Sequence, residues 1–177
     1  DEVTFVFQEH MLLPISIKDN LLLANPLATD EKMVEACRIA GALDFIEDLE
    51  YGMETVIGKA GDTLSVGQKQ RLSIARGLVR DTSIIVLDEP TASLDPRTET
   101  NLMNNLREGL HGKLIVLIAH RLSTVIDADE ILVLDKGEIA ERGTHEALIA
   151  KKGLYETMWN RQQEMASAQK KLLDLAP

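Results

Sequence analysis

The chain has 177 residues, 45% of them hydrophobic and 27% charged, which is enough for one domain with a real core and too little for two large ones. Its 19 basic and 29 acidic residues leave a formal net charge of -10, which argues against a free-standing nucleic-acid binder. A single cysteine, Cys37, rules out an internal disulfide framework and suits a reducing compartment. No stretch reaches the ~18 apolar residues of a membrane helix; the longest apolar run is Leu114 to Ala119. The start, Asp1-Glu2-Val3-Thr4, has no basic or apolar leader and runs straight into a strand-like pattern. We read it as cut from something longer.

The first seven residues read as the end of a strand, bounded by Gln8-Glu9-His10. Residues 8 to 28 are mixed, with Pro14 and Pro26 as breakers. Thr29 before Asp30 and Glu31 marks a helix start, with acids in the positive first turn. Helical spacing through Met33, Val34, Cys37 and Ala40 ends at Gly41, and a second short helix spans about 43–49. The spacing then predicts a helix over 66–80, a buried strand over 84–87 and a helix from Pro96 to about Leu110, capped by Asp95. Another buried strand follows at Leu114 to Ile118. Ile131 to Leu134 and Ile139 to Arg142 form a strand pair around Lys136-Gly137, followed by a short helix over 144–150. A last amphipathic helix from Leu154 sets Leu154, Met158, Arg161 and Met165 along one face, and the tail after about Ala166 is expected to fray. Strand, helix, strand in the middle means a parallel βα unit. The fold class is therefore α/β. The expected division is a helical subdomain over 11–79, an α/β core over 80–165 with the first strand, and a tail over 166–177.

Three local patterns carry chemistry. Ile84-Ile85-Val86-Leu87 ends in Asp88-Glu89. Ligands of parallel sheets bind at that strand edge, where one acid can hold Mg²⁺ and a second can orient an attacking water. The same pattern also reads as a buried strand running into a solvated turn. The strand over 114–118 leads to His120, which could meet a terminal phosphate or cap the turn that follows. Ser65 with Gln68 is a capping box at a helix start, where unpaired N–H groups suit an anion, and Gly67 would let a phosphate come close. In isolation this pattern is far more commonly an ordinary helix cap.

Taken together and in order, Gln8, Leu64-Ser65-Val66-Gly67-Gln68-Lys69-Gln70-Arg71, Leu87-Asp88-Glu89-Pro90-Thr91, Ala92-Ser93-Leu94-Asp95 and Ala119-His120-Arg121 resemble the nucleotide-binding domain of ABC transporters. Gln8 is similar to the family's Q-loop, 64–68 to its signature, 84–89 to Walker B, 92–95 to the D-loop and His120 to the switch histidine. The stretch from Asp127 to His145 also looks like this family, and the likeness is greatest to its exporter branch. The resemblance implies a P-loop NTPase-like fold, ATP and Mg²⁺ as ligands, and membership of a membrane transporter, on its cytoplasmic face. It implies that Asp88 helps hold Mg²⁺, with Gln8 nearby, that Glu89 is the general base or water-orienting carboxylate, and that His120 contacts the γ-phosphate. Ser65, Gly67 and Gln68 would close over ATP held by an opposing subunit, with Asp95 at the same seam. The implied partners are a second nucleotide-binding domain and a transmembrane domain, with no nucleic acid.

The sequence departs from the pattern in three places. A P-loop, G-x-x-x-x-G-K-[ST], is expected upstream of Gln8, and only seven residues precede it. The lookalike Gly52 to Ala60 has five residues between its glycines and alanine where a hydroxyl should bind the metal. The chain alone is therefore expected to be inactive. Val66 stands where the signature usually has glycine, and Lys59 where exporters usually carry glutamate. A non-catalytic dimerisation or regulatory partner is the main alternative. A DNA-acting ABC-type ATPase is the weaker one, since no heptads lie between Gln8 and Ser65.

Overall fold

The computed structural model describes residues 2–9, 11–58 and 64–174. They form two compact units, one running to Ile118 and one beginning at Ala119.

The first unit is built on a parallel three-stranded sheet in the order β1-β2-β3. These strands are Val3–Val6, Ile84–Asp88 and Leu114–Ile118. The register sets Val6 beside Leu87 and Asp88 beside Ile118. Between β1 and β2, α2 (Asp30–Ile39) and α4 (Val66–Leu78) lie at the places where helical spacing begins after a cap. Thr29 accepts the Lys32 N–H and Gly41 takes φ +64, so both ends of the α2 turn pattern are chemically marked. The short α3 (Leu43–Glu47) follows. The α5 helix (Pro96–Gly109) connects β2 to β3, with Asp95 as its cap and proline at its first position.

One further helix was not expected. The segment read as mixed contains α1 (Ile17–Leu22), capped by Ser16, whose hydroxyl accepts the Asp19 N–H. Fully buried Asn20 ties the preceding loop down. Its Oδ1 accepts the Leu13 N–H at 2.9 Å and its Nδ2 donates to the Leu13 and Ser16 carbonyls. The Ser16-x-x-Asp19 spacing is the signal that could have revealed it.

The sheet is buried on one face. Val6, Ile85 and Leu87 join the core with Leu72 and Ala75 of α4, while Val3, Phe5, Leu114, Val116 and Ile118 stay exposed. The expectation that β3 is wholly buried is corrected here. Its side chains alternate, Ile115 and Leu117 packing inward and Leu114, Val116 and Ile118 turned out. β2, the central strand, alternates in the same way, between buried and half-buried. The α4 helix sits very close to β1. A Cβ on Gly77 would fall 2.5 Å from Val6 Cγ2, so glycine is what permits the approach.

The second unit holds the hairpin of β4 (Ile131–Asp135) and β5 (Glu138–Gly143), turned by Lys136 and Gly137, both at positive φ. Two helices follow, α6 (His145–Lys151) and α7 (Leu154–Asp174), which continues past the point where fraying was expected. Leu122, Ile131, Val133, Leu148 and Tyr155 make its core. The expected apolar face of α7 is also corrected. Leu154, Met158, Arg161 and Met165 are exposed, while Tyr155 and Trp159 pack against the core, as the sequence reading of these two as packing residues expects. Tyr155 carries a larger apolar surface and finds a hydrogen-bond partner in His145 Nδ1 at 2.9 Å, which lets its hydroxyl be buried.

Candidate functional site

The site grows from the C-terminal end of β2. Asp88 is the last residue of the strand, and Glu89 turns the chain with φ +47, a left-handed backbone that glutamate rarely adopts. Its N–H donates to Ile118 O of β3 at 2.8 Å, and its carbonyl accepts the Ala92 N–H at 3.2 Å. Both half-buried carboxyl groups therefore stand at the strand edge where parallel sheets bind ligands.

Gln8 follows β1 by two residues and comes to the same edge because β1 pairs with β2 in parallel register. Its Nε2 donates to Glu89 Oε2 at 3.1 Å. Since the carboxylate takes the N–H end of the amide, Gln8 Oε1 is the oxygen left for a cation. Asp88 and Gln8 are thus the residues of this edge that could offer oxygen donors to a cation. That fits Mg²⁺, which keeps much of its water and is held by one or two carboxylates together with substrate phosphates.

The start of α4 lies against the segment after Glu89. Ser65 and Gln68 make the expected capping box: Gln68 Oε1 accepts the Ser65 N–H at 2.8 Å and Ser65 Oγ accepts the Gln68 N–H at 3.2 Å. A cap of this kind contributes about 1 kcal/mol. The Ser65 hydroxyl proton is not used by the cap, so it stays available to an anion. Gly67 has a second reason to be glycine. A Cβ there would meet Ser93 O at 3.1 Å and Leu94 Cδ2 at 3.2 Å. Val66, 60% exposed, points its side chain away from this contact.

Asp95 caps α5. Its Oδ1 accepts the Arg97 and Thr98 N–H groups, and its Oδ2 accepts the Thr98 hydroxyl at 2.6 Å. The Thr98 hydroxyl and backbone bonds hold its carboxyl below the usual carboxylate range. Buried Gln70, not singled out in the sequence, donates Nε2 to Glu89 O at 2.8 Å and accepts the Ser93 N–H on Oε1 at 3.1 Å. The first unit thus gathers Gln8, Asp88, Glu89, the signature turn and Asp95. His120 belongs to the second unit, where it is exposed and its carbonyl accepts from Gln162 Nε2.

A family profile described as "ABC transporter" matches residues 1–92. This chain belongs to the ABC transporter family. Among curated relatives it is 46% identical over 155 residues to the leukotoxin export ATP-binding protein LtxB of Aggregatibacter actinomycetemcomitans, covering 87% of this chain and 22% of that one. It is also 46% identical over 151 residues to the alpha-hemolysin translocation ATP-binding protein HlyB of Escherichia coli O157:H7, covering 85% of this chain and 21% of that one. A solved bacterial Atm1-family ABC exporter with ATP bound superposes with a TM-score of 0.84 at 40% identity, over 91% of this chain and 28% of that one. The chain thus spans about a fifth of the length of these curated relatives. The α/β fold with a parallel sheet is that of this family.

One more departure of the sequence from the family pattern can be placed. The P-loop lookalike is not a strand–loop–helix: Gly52–Glu54 is a single 3₁₀ turn, and Val56 makes an isolated antiparallel bridge with Ser16. Lys59 and Ala60 of that stretch, like His10, lie outside the described residues.

Proposed function

We propose that this chain is the ATP-hydrolysing portion of an ABC exporter, coupling MgATP binding, closure of two nucleotide-binding domains and hydrolysis to transport across a membrane. The observation that carries the reading is the Gln8–Glu89 hydrogen bond at the ligand-binding edge of the parallel sheet, beside Asp88. The names of the relatives favour an exporter over a DNA-acting ATPase.

In this reading Asp88 and Gln8 Oε1 would hold Mg²⁺, which would supply charge neutralisation at the phosphates. Glu89 orients a water and accepts its proton as the water oxygen bonds to the γ-phosphorus and the bond to the bridging oxygen breaks, leaving ADP and phosphate. His120 donates to a γ-phosphate oxygen. Ser65, Gly67 and Gln68 present the N-terminal end of α4 to the nucleotide of an opposing domain, with Asp95 at the same seam. Residues 11–79 serve as the helical subdomain and 80–165 as the catalytic core. The domain works on the cytoplasmic face of the membrane, against a transmembrane domain.

The test is MgATP turnover by the full-length transporter. Glu89→Gln keeps the size of the side chain and removes its basicity, so turnover falls by at least about a hundredfold while nucleotide-bound dimers persist. His120→Ala slows turnover as well. Wild-type turnover in Glu89→Gln overturns the role given to Glu89.

A further inference from the structure

Gln70 lies in α4, two residues beyond the capping box, and is 3% exposed. Its carboxamide makes two bonds to one turn. Nε2 donates to the Glu89 carbonyl at 2.8 Å and Oε1 accepts the Ser93 N–H at 3.1 Å. The orientation of the amide follows from its partners, since a carbonyl needs a donor and an N–H needs an acceptor. A buried side chain with both ends satisfied in this way is a rigid strut, and breaking it leaves unpaired polar groups out of reach of water.

The strut spans the residue whose backbone is most in need of support. Glu89 sits at φ +47, a conformation that persists in a non-glycine residue only when its surroundings over-determine it. Its N–H is held by Ile118 O and its carbonyl by Ala92 N and Gln70 Nε2. The Glu89 side chain leaves that same backbone to meet Gln8. The direction of the carboxylate is therefore set partly by Gln70. At the other end, Ser93 O lies 3.1 Å from where a Cβ on Gly67 would be, so the start of α4 and the 89–95 turn are in close contact.

We infer that Gln70 is a positioning residue for ATP hydrolysis, holding the Glu89 carboxylate in line with the attacking water and tying it to the Ser65–Gln68 turn. This rests on the role proposed above for Glu89. Glutamine suits the task because its side chain donates at one end and accepts at the other. Methionine does neither, and an ionised glutamate only accepts.

The experiment uses the full-length transporter with Gln70→Met, Gln70→Glu and Glu89→Gln, measuring kcat and KM for MgATP and the melting temperature of each. In Gln70→Met, kcat is expected to fall about tenfold to a hundredfold, the range a small misplacement of a reacting group produces. The KM stays within about twofold, because the strut faces the turn and not the nucleotide. In Gln70→Glu, the ratio of kcat to wild type rises as the pH is lowered from about 8 to about 6, because only the protonated carboxyl can donate to the Glu89 carbonyl. A merely structural role moves the melting temperature and leaves both the kcat–KM split and the pH profile of the ratio unchanged. Wild-type kcat in Gln70→Met beside an inactive Glu89→Gln overturns the inference alone. Wild-type kcat in Glu89→Gln overturns the underlying reading, whatever Gln70 does.

Discussion

Gln8 Nε2 donates to Glu89 Oε2 at 3.1 Å, although the two residues stand 81 positions apart. The parallel register of β1 on β2 makes this contact, with Val6 set beside Leu87. Each residue follows its strand by no more than two positions. One amide donor fixes one of the two carboxylate oxygens, which restricts rotation of a side chain that must otherwise choose its own direction.

Gln8→Ala removes that restraint. In the full-length transporter, MgATP turnover is expected to fall about tenfold, the scale on which orientation of a reacting group acts. Gln8→Glu falls further, because a second carboxylate in that place repels the Glu89 carboxylate instead of donating to it. Turnover equal to wild type in both variants would show that the contact does not orient Glu89.

The parts legible in the sequence are those that a few neighbouring residues decide. The Ser65–Gln68 capping box, the Asp95-Pro96 helix start and the Lys136-Gly137 hairpin all follow from local turn and cap chemistry, and all are present. The α1 helix was hidden because Pro14 reads as a breaker while the cap lies just after it, at Ser16. Two rows on α7 share helical spacing; Tyr155 and Trp159 pack inward as their reading as packing residues expects, while the row of Leu154, Met158 and Met165 is exposed. The hydrogen bond between the Tyr155 hydroxyl and His145 Nδ1 lets the tyrosine be buried. Motif order named the candidate site residues, but the bonds among them were not legible in it. Gln70 in particular looks like any polar helix residue until the chain folds β2 beneath α4 and brings Glu89 and Ser93 to it.

Asp81 stands between two lysines, with Lys113 Nζ at 2.7 Å and Lys32 Nζ at 3.0 Å. The hydrogen bonds from Lys113 and then Lys32 hold its carboxyl below the usual carboxylate range. A depressed folded-state pKa contributes stability above the unfolded value, which is lost as pH falls through the folded one. Asp81 also sits at φ +57, which asparagine tolerates. Asp81→Asn therefore removes the charge without straining the turn. Because the pair is largely solvent-exposed, the expected cost at pH 7 is under about 1 kcal/mol. The gap from wild type should close as the pH is lowered below about 3.9, the ordinary aspartate value. Urea unfolding across that range checks it, and a gap that widens in acid would reverse the sign argued here.

Gly77→Ala tests the closeness of α4 to β1. Alanine favours a helix over glycine by about 1 kcal/mol, so on propensity alone the change stabilises. The new Cβ, however, would lie 2.5 Å from Val6 Cγ2 and 3.3 Å from Thr4 Cγ2. Overpacking of that kind costs about 1–3 kcal/mol. Net destabilisation is expected, and Val6→Ala in the same chain should relieve part of it. A double-mutant cycle in urea reads the coupling, and a higher midpoint for Gly77→Ala alone would mean that the helix stands further from the strand.

Cys37 gives a direct readout of opening in the α2 region. Its side chain is 0% exposed, and burial pushes its thiol up to about 12. The thiolate is the reactive form, so at about pH 8 the folded protein withholds Cys37 both by access and by protonation, whereas the unfolded chain has a thiol near the ordinary value of about 8.5. As the single cysteine of the sequence, it makes the signal unambiguous. Alkylation of the native chain should be slower by at least about a hundredfold than in denaturant, and its residual rate should track the population of the open form. Gly77→Ala should raise that rate if α2 and α4 open as one cooperative piece, since Cys37 and Leu72 share one core. Equal rates in native buffer and in denaturant would place Cys37 at the surface and contradict the packing of α2 against α4.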